Sequence, residues 1–298
     1  MANAIALAEN YAKILDAKYK KSSLTSLLEV KNSLTRNFSD AGTVQLMSIV
    51  TDGLGDYSRA NGFTSGSTTA TWTPYQLEVD RGQSFQVDAM DDAEAKKMVF
   101  IETAKQFMMQ EVIPEIDAIR FARMASKGTT ISAALADGDA TMGAIDTAVL
   151  AMDDAEVPQE NRVIFMSNST YTLLKNASKI TRQFDIDTNG QKVINREFEY
   201  FDDMMVIKVP KARFFNFITL HDGTAAFGFE KTVATGKDIN FMIVHKPSVV
   251  AITRHVKVRI FDSNTNQDAD ADKYQYRIYH DLIVPTNKTA GIYTHTVA

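Results

Sequence analysis

Residues 91–127 constrain this 298-residue chain more than any other stretch. Asp91 stands where a helix cap belongs, Glu94 follows at capping-box spacing, and helix formers continue to about Lys127. At about 1.5 Å per residue such a helix runs roughly 54 Å, far beyond the usual three or four turns. Wheel positions put Met98, Ile101, Ala104, Met108, Val112, Ile116 and Ile119 on one stripe, with Val99, Phe100, Phe107 and Phe121 nearly opposite. With both sides apolar, the helix either runs through a core or gives one face to the core and the other to a neighbouring chain. Pro114 should bend it, because proline lacks a backbone donor and its ring crowds the preceding turn.

The rest of the composition removes whole classes of function. There is no cysteine, hence no disulfide framework, thiolate zinc site, iron–sulfur cluster or cysteine nucleophile. Glu9, Lys13, Asp16 and Lys18 interrupt the start where a secretory signal needs an unbroken apolar run, and no stretch reaches the ~18 apolar residues of a membrane span. A cytoplasmic product with no membrane partner is expected. Residues 1–36 carry a net +3 and the remainder −8, an acidic body unsuited to tight, sequence-independent binding of nucleic acid.

Around the helix the chain divides into dissimilar parts. Residues 1–43 read as a polar arm with short helical patches such as Ile5–Tyr19. Val44–Val50 has strand character; a Gly-, Ser- and Thr-rich stretch follows, and Leu77, Val79, Phe85 and Val87 then alternate with polar residues, Gly82 permitting a bulge. Residues 44–88 are therefore expected to form an extended two-stranded flap, which alone is marginal in water and needs another surface. Residues 128–245 read as a mixed α/β unit: a helix over Ala140–Ala151, a buried strand Arg162–Met166, a helix over Tyr171–Ala177 capped by Ser167 or Ser169, a polar hairpin turning at Asn189-Gly190, and strands Met204–Val209 and Ile239–Val244. Val249–Phe261 and Tyr274–Val284 close the chain as an antiparallel pair across the acidic loop Asp262–Asp272, with His255, Lys257 and Arg259 on one face.

None of the candidate chemical motifs stands up. The five histidines have no metal-ligand spacing, and His280-Asp281 has no nucleophile elbow beside it, so both are read as structural. Gly53-x-Gly55 lacks the third glycine and the helix of a phosphate loop. Asp185-x-Asp187-x-Asn189-Gly190 has Arg196, and Asp262-x-Asn264-x-Asn266 has Lys273, at the position where a calcium loop needs its bidentate glutamate. No catalytic residue, metal ligand or cofactor is nominated. What stands out is a detached arm, an unsupported flap and an overlong helix, the traits of a subunit.

The order of these parts, together with local sequence, resembles the major capsid proteins of tailed bacteriophages with the Hong Kong 97-type fold. Arg81-Gly-Gln-Ser-Phe-Gln-Val-Asp88 leading into Asp91–Ala95 is similar to that family's passage from flap to spine helix. Arg162–Met166 with Tyr171–Lys175, Val206–Pro210, Ile239–Lys246 with Arg259–Asp262, and Tyr279–Asp281 with Asn287–Tyr293 are similar to later strands and helices. The resemblance implies an α+β protomer: an N-terminal arm (1–43), an extended loop (44–88), a peripheral domain of spine helix (89–127) and return strands (246–298), and an axial domain (128–245). It further implies self-assembly as pentamers and hexamers into an icosahedral virion shell around double-stranded DNA touched only weakly, built in the host cytoplasm with portal and scaffolding partners. An encapsulin-like compartment holding protein cargo is the alternative. The family's founding member welds its shell through a lysine on the extended loop; here no lysine occurs between Lys31 and Lys96, so a non-covalent shell is expected. The family's long N-terminal scaffolding segment has no counterpart before the flap, so a separate scaffolding protein, or none, is expected. Arg59, Trp72, Tyr75, Leu77, Arg81 and Phe85 are the expected contacts to neighbouring subunits, aromatic and arginine side chains being the usual anchors of interfaces.

Overall fold

The computed structural model describes residues 23–29, 35–39, 43–60, 62–88, 104–178, 180, 184–186, 192–194 and 198–298. The expected patch Ile5–Tyr19, the cap at Asp91, stripe members Met98 to Ile101, and the turn at Asn189-Gly190 lie outside these residues.

In chain order come β1 (Thr35–Ser39), β2 (Thr43–Thr51), β3 (Thr68–Gln76), β4 (Val79–Asp88), α1 (Ile113–Lys127), β5 (Thr129–Ser132), α2 (Gly138–Asp154), β6 (Arg162–Ser167), α3 (Asn168–Lys175), β7 (Phe184–Ile186), β8 (Lys192–Ile194), β9 (Tyr200–Phe201), β10 (Met204–Val209), β11 (Ile218–Leu220), β12 (Phe229–Lys231), β13 (Ile239–His245), β14 (Val250–Phe261), β15 (Ala271–Ile283) and β16 (Ile292–Thr296). The architecture is α+β.

The largest sheet has the order β5-β16-β13-β6-β10-β9 and mixes parallel and antiparallel pairs. Val163 to Met166 and Phe241 to Val244 are at most 1 % exposed, because these central strands are covered on both faces; hence they read as unbroken apolar runs. On one side α2 and α3 bring Ile145, Met152 and Leu174 against Ile164, Phe241 and Ile243. On the other, Phe121 and Met124 of α1 meet Phe165, Met242 and Val244, with Phe121 edge-on to Phe165 and Phe214 at ring separations of 5.1 and 4.8 Å. Ser167 caps α3 by accepting the Thr170 N–H at 3.2 Å, and Asp137 caps α2 by accepting that of Ala140 at 2.8 Å.

The spine is helical over 104–127, with a π turn at Met108–Val112. Pro114 is the cause: with no N–H and a ring that crowds the carbonyl four residues back, it favours a widened preceding turn. Ala104, Met108, Val112 and Ile116 of the expected stripe are buried against Tyr274, Tyr276 and Ile278 of the second sheet, β14-β15-β4. Phe107 is also half-buried there, and Phe121 is fully enclosed in the main core. Both apolar sides of the described helix are thus covered by the chain itself.

Several details differ from the sequence reading. The flap is made by β2 and β3, paired from Thr43↔Gln76 to Thr51↔Thr68, whereas β4 leaves it and joins β15. Gly82 makes no bulge there; a Cβ on it would lie 3.0 Å from the Tyr276 carbonyl oxygen, so close strand packing is what needs glycine. The chain does not close on β14 and β15: β16 crosses back into the large sheet between β5 and β13. Residues 23–29, inside the expected arm, are stitched to α1. Fully buried Asp117 accepts from Ser23 Oγ at 2.8 Å, Thr25 Oγ1 at 2.7 Å and the Leu24 and Thr25 amides, and pairs with Arg213 at 3.0 Å. Fully buried Arg120 donates to Thr25 Oγ1 at 3.0 Å and pairs with Glu29 at 2.8 Å.

Candidate assembly surface

Nine residues of β2 span about 30 Å, and only its first part touches the body. Val44 and Leu77 are buried with Ile252 and Ile283 at the root, with Leu46, Tyr75, Val250 and Tyr279 packed around them. Beyond that point the hairpin is exposed on both faces. Ile49 is 57 %, Val50 66 %, Leu54 fully, Tyr57 62 % and Phe63 91 % exposed, and Trp72, directly across from Met47, is 38 % exposed. The tip is nevertheless well defined. Ser67 N–H donates to the Asp52 carboxylate at 2.7 Å, Ser58 and Gly62 exchange backbone bonds at 3.1 and 2.7 Å, and Tyr57 packs edge-on to Phe63 with centroids 5.0 Å apart. These bonds pin the tip while its apolar side chains face water. Burying each fully would yield about 1.5–3 kcal/mol, which a neighbouring surface can supply.

The six residues expected to meet neighbours separate into two groups. Arg59 is exposed at the tip, Trp72 is partly exposed on the shaft, and Tyr75 is half-buried at the root. The other three have intrachain contacts. Leu77 is 3 % exposed in the root cluster. Arg81 forms a two-pronged ion pair with Glu115 at 2.7 and 3.2 Å and donates to the His221 and Gly228 carbonyls. Phe85 packs edge-on to Phe107 at 4.8 Å.

A clamp that the sequence reading missed holds the corner between β3 and β4. Asp281, 4 % exposed, accepts the Glu78 and Leu282 amides at 3.0 and 2.8 Å and faces Arg123 Nε at 3.4 Å. Arg123 also pairs with Glu78, and Tyr279 Oη donates to the Leu77 carbonyl at 2.8 Å. Asp281 therefore holds a backbone corner; it makes no hydrogen bond to His280.

The outer face of β14-β15-β4 carries Lys257 directly opposite Arg277, with Arg259 beside them. Like charges in register repel. Among the described residues Asp80 engages them, receiving two bonds from Arg277 at 2.9 and 2.5 Å; those bonds hold its carboxyl below the usual carboxylate range. In the acidic loop the carboxylates serve as turn caps: Asp272 accepts the Ser263 amide at 2.8 Å, Asp262 accepts that of Asn264 at 3.2 Å, and Asp268 pairs with Lys273. Among the described residues no group of three or more His, Asp or Glu is placed to hold a metal ion, and no helix is long and apolar enough to cross a membrane.

Solved structures that superpose on this chain include phage capsids. The capsid of the cyanophage P-SCSP1u superposes with a TM-score of 0.60 at 13 % identity, covering 88 % of this chain and 85 % of that one. The mature capsid of bacteriophage PhiM1 gives 0.60 at 10 % identity, covering 91 % and 90 %. The chain has the fold of a phage capsid subunit. A virus-like particle from Pyrococcus furiosus shares this capsid fold at a TM-score of 0.51 and 11 % identity over 96 % and 98 % of the two chains. No protein-family profile and no curated protein matches the sequence.

Proposed function

We propose that this chain is the major capsid protein of a tailed bacteriophage, of the Hong Kong 97 type, which assembles as pentamers and hexamers into an icosahedral shell around double-stranded DNA. The observation that carries this reading is the β2–β3 hairpin: a rooted, internally bonded projection whose outer half exposes apolar residues on both faces. A shell closes through many repeated contacts, each weak enough to reverse while errors are corrected, and a projecting hairpin suits that use. The better superposition on phage capsids than on the virus-like particle favours a DNA-filled head over a compartment for protein cargo.

On this reading Arg59, Trp72 and Tyr75 contact the neighbouring subunit, while Leu77, Arg81 and Phe85 hold the body from which the hairpin projects. The virion portal and a separate scaffolding protein are the further partners, and packaged DNA is held loosely by a body of net negative charge. Negative-stain microscopy of the expressed full-length chain tests the proposal. Closed shells or capsomer rings are expected, and a monodisperse monomer at high concentration would overturn it.

A further inference from the structure

Two clefts of about 410 Å³ each lie on the body, and the charges that line them differ in sign. One lies beside the spine helix with Phe85, Phe107 and Phe227 in its walls; apart from the Arg81–Glu115 pair, its lining carries the carboxylates Glu111 and Asp222 and no lysine. The other lies at the root of the β2–β3 hairpin. Leu28, Leu46, Tyr75, Val249 and Pro285 give it an apolar lining, and its charged members are Lys246 and Lys288. Lys288 donates to the Pro247 carbonyl at 3.0 Å, and neither lysine is paired with a carboxylate among the described residues.

The hairpin tip complements the second cleft and not the first. It presents the exposed apolar residues Leu54, Tyr57 and Phe63, and residues 52–67 carry two carboxylates, Asp52 and Asp56, against the single cation Arg59. Lysines attract such a tip, whereas Glu111 and Asp222 repel it. Because its own hydrogen bonds and the Tyr57–Phe63 contact already shape the tip, docking orders little that is loose. A tip cannot reach the cleft at its own root. The strands stay paired out to Thr51↔Thr68, about 14 Å beyond Met47 in the cleft lining, and Tyr57 and Phe63 follow on the far side of that pair. The cleft is therefore open to the tip of a second copy. Such a contact joins two different patches of the same chain, and its repetition closes into a ring when the rotation between copies allows.

We propose that the hairpin tip of one copy seats in the root cleft of the next, Tyr57 and Phe63 against Leu46, Tyr75 and Val249, with Asp52 and Asp56 facing Lys246 and Lys288. This rests on the capsid reading and names the surface that the hairpin meets. The lack of cysteine makes site-directed cross-linking clean. Full-length copies carrying Ser65→Cys at the tip are mixed with copies carrying Asn287→Cys at the cleft, assembled, and treated with a short bismaleimide. A cross-linked dimer is expected, and it should be absent when the second copy carries Asp222→Cys instead. Asp56→Lys and Lys246→Glu should each lower particle yield several-fold, and the two together should restore most of it. Thermal unfolding of the subunit checks that each variant folds; where Lys246→Glu does not, the cross-link decides. Shells that give no cross-link to position 287, or a double reversal no better than either single one, would overturn this seating and leave the capsid reading standing. A chain that stays monomeric would overturn both.

Discussion

The Asp281 carboxylate and the Glu78 amide, 203 positions apart in sequence, meet at 3.0 Å and fix the corner where the projecting hairpin turns into the body sheet. With the Leu282 amide at 2.8 Å and the Arg123 guanidinium at 3.4 Å, this single buried acid serves three donors. Asp281→Ala should cost about 2–4 kcal/mol, because each donor loses its partner in a site that water does not replace. Asp281→Asn keeps one acceptor and should cost less. Urea unfolding of the dissociated protein gives both numbers, and amide exchange at Glu78 should rise in step.

On the proposed function, Trp72 serves assembly rather than folding. It stands on the exposed shaft opposite Met47. Trp72→Ala is expected to lower the yield of particles several-fold while shifting the unfolding free energy of the subunit by less than about 1 kcal/mol. Equal losses in both assays would place the side chain in the fold and not in the interface.

Acid should destabilise the subunit in a defined window. His280 has a folded pKa of about 3 and an ordinary value near 6.5 when unfolded, so between these limits the unfolded chain binds a proton that the folded chain does not. Stability therefore falls as pH drops from about 6.5 towards 3, by about 1.4 kcal/mol per pH unit for one such group. Burial lowers the pKa of His295 and of His245 as well, which adds in the same direction. A His280→Phe variant that folds should show a flatter pH profile in denaturant titrations, and an unchanged slope would contradict this account.

The Asp202-Asp203 turn between β9 and β10 stores strain. Both residues have positive φ, 45° and 60°, and Asp202 has its pKa raised by burial and then by the Asp146 and Asp203 charges. Asp203→Gly removes a side chain from a left-handed position and a negative charge from the cluster, and should raise stability by roughly 0.5–1 kcal/mol in thermal or urea unfolding.

The hairpin carries no lysine with which to weld itself to a neighbour, since none lies between Lys31 and Lys96, and the proposed shell is therefore non-covalent. Particles boiled in detergent should run as a single 33.1 kDa band, and a ladder of multimers would refute a non-covalent shell.

What could be read from sequence was whatever local patterning dictates. β10 lies at Met204–Val209 as its apolar run indicates, α3 is capped by Ser167, and β14 pairs with β15 across the acidic loop. What depended on distant partners was not legible. Alternation in 79–88 shows a half-buried strand but not which strand it joins, and the partner turned out to be β15, not β3. Asp117 and Arg120 carried a usable signal, charges set among Ile116, Ile119 and Phe121, yet only the fold shows that they receive residues 23–29. Of the six proposed contacts, exposure could be guessed for Arg59 and Trp72. The burial of Leu77 and the Arg81–Glu115 pair follow from how the corner at Glu78 turns.

The π turn before Pro114 makes the spine sensitive to length in a way that its amino-acid identities do not reveal. Each residue added to or removed from an α-helix rotates everything beyond it by about 100°. Here the rod faces β14-β15-β4 from Ala104 through the wide turn to Ile116, and the large sheet from Phe121 onward. Because a π turn holds one residue more than an α turn, a single deletion within it is absorbed by closing to a regular turn, whereas a single deletion between Ile116 and Phe121 would swing Phe121 and Met124 away from their seats in the large sheet.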